Sequence, residues 1–218
     1  MVRALVFDFD GLILDTEVPV FRAWSETYER HGQLLSRDFW ASIIGYGLDH
    51  FDPLADLERR VGRPLDREAV QTARRARQLE LTMALEILPG VREWRREAAE
   101  LGVLLGVASS SGRPWVTGHL ERLGLDGWGC VRCGDDVART KPAPDLYLAV
   151  LDCLGVAPGD AVAVEDSGVG VEAAKTAGLY CVAVPSSLTS SHDFRRADLV
   201  LGSLAELPFA EVASRLGR

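Results

Sequence analysis

Four short apolar runs constrain this chain more than any other feature: RALVF at 3–7, VLLGVA at 103–108, AVAV at 161–164 and YCVAV at 180–184. Each is continuous rather than alternating, the pattern of a strand covered on both faces, and helix-like stretches separate most of them. The expected core is therefore α/β, a parallel sheet flanked by helices. Helices are expected at 91–101, where Val91, Trp94, Ala98 and Leu101 follow the Pro89-Gly90 break at helical spacing, and at 170–177, before Gly178.

About ninety residues separate the first run from the second, far more than one crossover helix needs. From Glu17 to about Leu85 the pattern is helical: Val20, Trp24 and Tyr28 recur in steps of four, and a long amphipathic segment runs from about Asp66 to Leu85. This spacing predicts a core of residues 1–16 and 86–218, with a helical lobe, 17–85, seated above the sheet. The aromatics Trp24, Tyr28 and Trp40 are expected to pack the lobe's own core, whereas Tyr46, between two glycines, is a candidate for contact with substrate. Arg74, Arg75 and Arg77 cannot all face one way on a helix and are read as a solvated face.

At 218 residues, 47% of them hydrophobic and 26% charged, the chain is long enough for one full-sized core and an inserted lobe. Its net charge of −8 argues against broad binding to nucleic acid or an acidic membrane, while a local basic pocket could still take an anionic small molecule. Stretches such as LGVLLGVA at 101–108 fall far short of the roughly 20 apolar residues of a membrane helix, and Asp8 interrupts the apolar N-terminus. No membrane association and a cytoplasmic location are expected. Cys130 and Cys133 form a lone Cys-x-x-Cys, without a second pair or clustered histidines, so all four cysteines are expected to be reduced structural thiols.

The chemistry gathers where the runs end. Asp8 and Asp10 lie on one side of the chain as the first run finishes, and Gly11 frees the backbone to turn. The second run ends in Ser109, Ser110 and Ser111, and the AVAV run ends in Glu165-Asp166. A further element, RTKPAPD, sets Lys141 in a stiff loop before prolines suited to a helix start. Singly, these are ordinary: an acidic turn, a helix cap, a solvated lysine. Together they follow strands or turns expected on one edge of one sheet, where open parallel sheets bind ligands. A hard cation such as Mg²⁺ would relieve the repulsion among the acids.

In order, DFDGLILDTE, VASSS, KPAPD and EDSGVG resemble the four motifs of the haloacid dehalogenase superfamily, in its subgroup with a helical cap after the first motif, and the resemblance spans nearly the whole chain. It implies a Rossmann-like core, Mg²⁺ as cofactor and a small phosphorylated metabolite as substrate. It also implies Asp8 as nucleophile, Asp10 as acid and base, and Lys141 as the charge neutralising both phosphate and nucleophile. Ser109 and the backbone N–H groups of Phe9, Asp10 and Ser110 would hold phosphate oxygens. Asp8, the Asp10 carbonyl, Asp166 and Glu165 would hold the metal. Val20 and Leu48 stand where hexose-phosphate mutases of the subgroup place a histidine and an arginine, and residues 17–85 contain no lysine for a Schiff base. The resemblance therefore favours a phosphatase acting on a phosphate monoester. The alternatives are a phosphomutase and, more distantly, a phosphoacceptor signalling module.

Overall fold

The computed structural model describes residues 1–44 and 51–216; Tyr46 and Leu48 lie outside them. Strand β1 (Ala4–Phe7) is followed by four helices, α1 (Glu17–Arg30), α2 (Arg37–Ile43), α3 (Pro53–Val61) and α4 (Arg67–Met83). The chain continues through α5 (Val91–Glu100), β2 (Leu104–Ala108), α6 (Arg113–Arg122), β3 (Cys130–Arg132), α7 (Asp145–Leu154) and β4 (Ala161–Glu165). It ends with α8 (Gly168–Thr176), β5 (Tyr180–Ala183), β6 (Leu199–Val200) and α9 (Phe209–Leu216). All strand pairs are parallel, in the order β3-β2-β1-β4-β5-β6. The four apolar runs are β1, β2, β4 and β5. The edge strands β3 and β6 are too short to leave a run in the sequence.

The period of two divides β1 between two cores. Leu5 and Phe7 pack with Trp94 of α5, Val116 of α6 and Phe209 of α9, whereas Ala4 and Val6 pack with Tyr147 and Val150 of α7 and Ala173 of α8. The second face is lined by small residues, among them Ala161, Ala163 and Ala183. At Gly106 of β2, an added Cβ would lie 2.6 Å from Val150 Cγ1. Small residues there let α7 sit close to the sheet, which brings Tyr147 under the tip of β4. Among the described residues, no helix is long and apolar enough to cross a membrane.

Alternation also corrects the expectation of four reduced thiols. Cys130 and Cys133, three residues apart at the end of an extended segment, face opposite cores. They therefore do not meet. Cys130 instead faces α7 and forms a disulfide with Cys153, while Cys133 and Cys181 are free and buried.

A third apolar cluster joins Trp24, Tyr28, Trp40, Leu54 and Leu57 of the helices between β1 and α5, as expected for aromatics at helical spacing. The arginine face is only partly solvated. Arg75 is exposed, but Arg74 lies 5.2 Å over the Trp24 ring and Arg77 pairs with Glu26 at 2.8 Å, because positions 74 and 77 share the side of α4 turned to α1. Leu188, from the segment after β5, inserts into this cluster and is 2% exposed. Leu188→Ala is expected to lower the free energy of unfolding by about 2–5 kcal/mol, as truncation of a buried leucine does. Urea unfolding followed by tryptophan fluorescence checks this, and an unchanged midpoint would contradict the packing.

Candidate active site

Sheet register sets the site. Phe7 is paired with Val107 on one side and with Val164 on the other, so three strands end level. The chain leaves β1 through β2 and β3, then crosses back to place β4 on the opposite side of β1. That reversal opens a crevice at the carboxyl ends of β1 and β4. Asp8 enters it from β1, Glu165 and Asp166 from β4, and Lys141 from the crossover between β3 and β4. The Asp8 N–H donates to the Val164 carbonyl at 2.9 Å, fixing the first acid to the neighbouring strand.

Local sequence keeps the crevice open. Gly11 adopts φ +81°, and a Cβ there would overlap the Asp166 carboxylate. A Cβ at Gly170 would overlap that of Glu165. The cap of α8 is Ser167, whose Oγ accepts the Gly170 N–H at 3.1 Å, so the two acids before it are not occupied in capping.

Asp8, Glu165 and Asp166, all buried, each offer an oxygen within 4.8 Å of the others. Lys141, also buried, donates to Asp8 Oδ1, and its Nζ lies 2.6 Å from Glu165 Oε1. The Tyr147 hydroxyl donates to that same oxygen at 2.5 Å. Three carboxylates, if all were ionised, would exceed the one ammonium by two negative charges in a buried space. Burial pushes Asp8 up to about 8 despite the pull of Lys141. Burial, then the charges of Asp8 and Glu165, raises Asp166 as well. Lys141 is held charged: burial opposes its charge, but Asp8 and Glu165 outweigh that cost. Glu165 Oε2 and Asp166 Oδ2 are buried without a hydrogen-bond partner. Unpartnered oxygens, a deficit of two charges and the space kept by Gly11 and Gly170 fit a divalent cation.

Asp10 is half-buried beside this cluster. Its Oδ1 accepts from Thr16 Oγ1 at 2.7 Å and from Trp115 Nε1 at 2.9 Å; its Oδ2 accepts from Ser111 Oγ at 2.6 Å and lies 3.4 Å from Ser109 Oγ. Thr16 occupies the N-cap position of α1 without capping it, its hydroxyl being diverted to Asp10. A cavity of about 410 Å³ is lined by Asp8, Asp10, Ser110, Lys141 and Asp166, together with Glu17, Val20, Gln78 and Trp115. Phe9, Ser109 and Glu165 are fully buried behind its wall. A larger cavity of about 700 Å³ lies between residues 85–90, α5 and the 204–208 turn. It holds none of the buried acids, so the smaller one is the candidate site.

Sequence reading missed Thr16, Glu17, Trp115 and Tyr147. Thr16 and Glu17 stand in the first motif, where nothing marks them as different from ordinary helix-start residues. Glu17 is pushed up to about 8 by burial, Asp10 and Asp8, which places it electrostatically with the acids. Tyr147 and Trp115 lie on helices following KPAPD and VASSS, and their contacts with acids depend on tertiary packing.

The family model described as haloacid dehalogenase-like hydrolase matches residues 5–184. The YhcW protein of Bacillus subtilis (strain 168) is 40% identical over 217 residues, covering 99% of this chain and 98% of the relative. A phosphorylated carbohydrates phosphatase of Thermotoga maritima is 32% identical over 189 residues, 82% of each chain. Among solved structures, CbbY from Rhodobacter sphaeroides in complex with xylulose-(1,5)bisphosphate superposes with a TM-score of 0.76 at 31% identity, covering 95% of this chain and 96% of that one.

The charge deficit has a measurable consequence. The folded protein without metal keeps on Asp8 a proton that the unfolded chain releases, since the carboxyl moves from 3.8 to about 8. Stability should therefore fall as pH rises from about 4 through about 8. Thermal unfolding in a chelator is expected to show that fall, and added Mg²⁺, if the ionised acids bind it, to flatten it. Equal slopes with and without Mg²⁺ would remove the cation site.

Proposed function

Because the chain belongs to the haloacid dehalogenase-like hydrolases and its relatives include named phosphatases, we propose that it is a Mg²⁺-dependent phosphatase that hydrolyses a small phosphorylated metabolite through an aspartyl-phosphate on Asp8. The observation that carries this reading is the meeting of Asp8, Glu165 and Asp166, the first two paired with Lys141, at a cavity lined by Asp8, Asp10, Lys141 and Asp166. Asp8, Asp166, the Asp10 carbonyl and Glu165 would hold the metal. When bound, the cation supplies positive charge to the nucleophile and to the phosphate oxygens.

A carboxylate oxygen of Asp8 attacks phosphorus while the bond to the leaving oxygen breaks, which divides hydrolysis into two easier displacements. Asp10 gives its proton to the departing oxygen, then takes one from the water that attacks the aspartyl-phosphate. Lys141 reduces repulsion between the carboxylate and the incoming anion, and Tyr147 holds Glu165 in place beside it. Ser109, Ser110 and the backbone N–H groups of Phe9, Asp10 and Ser110 are the proposed phosphate donors. Residues 17–85 act as a cap over the 1–16 and 86–218 core, contributing Glu17, Val20, Ile44 and Gln78 to the cavity wall. Its volume of about 410 Å³ suits a leaving group of sugar size, in keeping with the carbohydrate phosphates named for the Thermotoga relative. Apolar Val20, rather than a histidine, favours hydrolysis over the mutase alternative.

Phosphate release from a panel of phosphate monoesters, with and without Mg²⁺, tests the activity. Asp8→Asn should abolish turnover of every substrate, and activity in that variant would refute the covalent route. Lys141→Ala is expected to lose about a hundredfold in kcat, the scale of about 3 kcal/mol for removing one such electrostatic contact.

A further inference from the structure

We propose that Trp115 is a positioning residue for the proton-transfer step: its indole N–H holds Oδ1 of Asp10, leaving Oδ2 as the oxygen presented to the leaving group. The inference rests on the phosphatase reading above. The two carboxyl oxygens of Asp10 have chemically different partners. Oδ1 faces Trp115 Nε1 at 2.9 Å and Thr16 Oγ1 at 2.7 Å. Oδ2 faces only hydroxyls, Ser111 Oγ at 2.6 Å and Ser109 Oγ at 3.4 Å.

An indole N–H donates and never accepts, whereas a serine hydroxyl does both and can turn about its C–O bond. With Trp115 and Thr16 both donating to it, Oδ1 is held by two groups, whereas the serine hydroxyls beside Oδ2 can turn and yield to a substrate oxygen. The contact with Trp115 therefore holds the rotamer of Asp10 and leaves Oδ2 as the oxygen presented to substrate. During phosphoryl transfer, the bond from phosphorus to the leaving oxygen breaks, the electron pair stays on that oxygen, and the Oδ2 proton converts it to an alcohol. Asp8 forms the new bond to phosphorus.

Trp115 is itself supported from behind. Its ring meets His119 edge-on, with centroids 4.4 Å apart, and His119 stacks on Phe9 at 6.3 Å. Phe9 lies between Asp8 and Asp10 in the chain, so this aromatic stack spans the nucleophile loop and α6. His119 is 5% exposed, and burial, with Arg122 nearby, disfavours its charged form. The stack thus sets the indole's direction.

Trp115→Phe keeps a ring and removes the N–H. Phosphate release is measured as kcat/KM, which reports steps through the first irreversible one, for two substrates. One is the hexose or pentose monophosphate that the wild type hydrolyses fastest, whose alcohol must receive a proton as it leaves. The other is p-nitrophenyl phosphate, whose leaving group departs as a stable anion. The variant is expected to lose about tenfold or more on the sugar phosphate, part of the 10²–10⁴ that acid–base catalysis supplies, and no more than about twofold on the aryl ester. Thr16→Val, which removes the other donor to Oδ1 while keeping its shape, should produce the same split and serves if the tryptophan variant does not fold. Equal losses on both substrates, or none, would overturn the positioning role while leaving the phosphatase reading intact. A wild type that releases phosphate from neither class would overturn that reading, and this inference with it.

Discussion

Three buried carboxylates gathered beside one lysine, two of them paired with it, are the constraint on which the rest of this molecule depends. Like charges at the tips of adjacent strands repel, and among the described residues Lys141 alone pairs with them. Lys141 joins Asp8 to Glu165, and the raised affinity of Asp8 and Asp166 for protons records the charge still uncompensated. The fold holds the acids together because the sheet beneath is rigid. Parallel pairing makes β1 and β4 end level, and the close-set small residues of one face let α7 deliver Tyr147 against Glu165. The site is thus a strained charge arrangement supported by a well-packed core, with the instability confined to where a cation and a phosphate would meet.

The main features of the fold can be read from the chain because they rest on local patterns. Continuous apolar runs correspond to β1, β2, β4 and β5, and the helical period between Glu17 and Leu85 corresponds to α1 through α4. Acids and hydroxyls placed directly after those runs converge because parallel strands share one carboxyl edge. What the sequence hides is what depends on direction. Cys130 and Cys133 look like a pair until strand alternation sends them to opposite faces, and Cys153 becomes a partner through the packing of α7 on β3. Trp115 carries no motif, and its bond to Asp10 exists because α6 starts beside the loop that bears Ser109 to Ser111. Arg74 looks like a surface charge, but it lies over Trp24.

Thr16 illustrates how function departs from local preference. A threonine at a helix N-cap ordinarily gives its oxygen to a backbone N–H, at a value of about 1 kcal/mol. Here the hydroxyl donates to Asp10 and α1 begins without a side-chain cap. Local stability yields to the geometry of one carboxylate. Such a conflict between local rule and observed contact is expected at working sites and rare elsewhere.

One segment also joins the helices between β1 and α5 to the acid loop. Thr189 Oγ1 donates to the backbone carbonyl of Asp166 at 2.7 Å, while the preceding residue, Leu188, is buried in the lobe's aromatic cluster. Further along the same segment, His192 Nδ1 accepts from the Gly168 N–H at 3.3 Å and its Nε2 donates to the Ala41 carbonyl of α2 at 2.8 Å. One stretch of chain after β5 therefore touches both the loop carrying Asp166 and the helices above it. A rigid displacement of the lobe would have to withdraw Leu188 into water, at about 2 kcal/mol or more, or carry the segment along and pull on the Asp166 carbonyl. The segment after β5 thus connects the packing of the helices between β1 and α5 to the loop that carries Asp166.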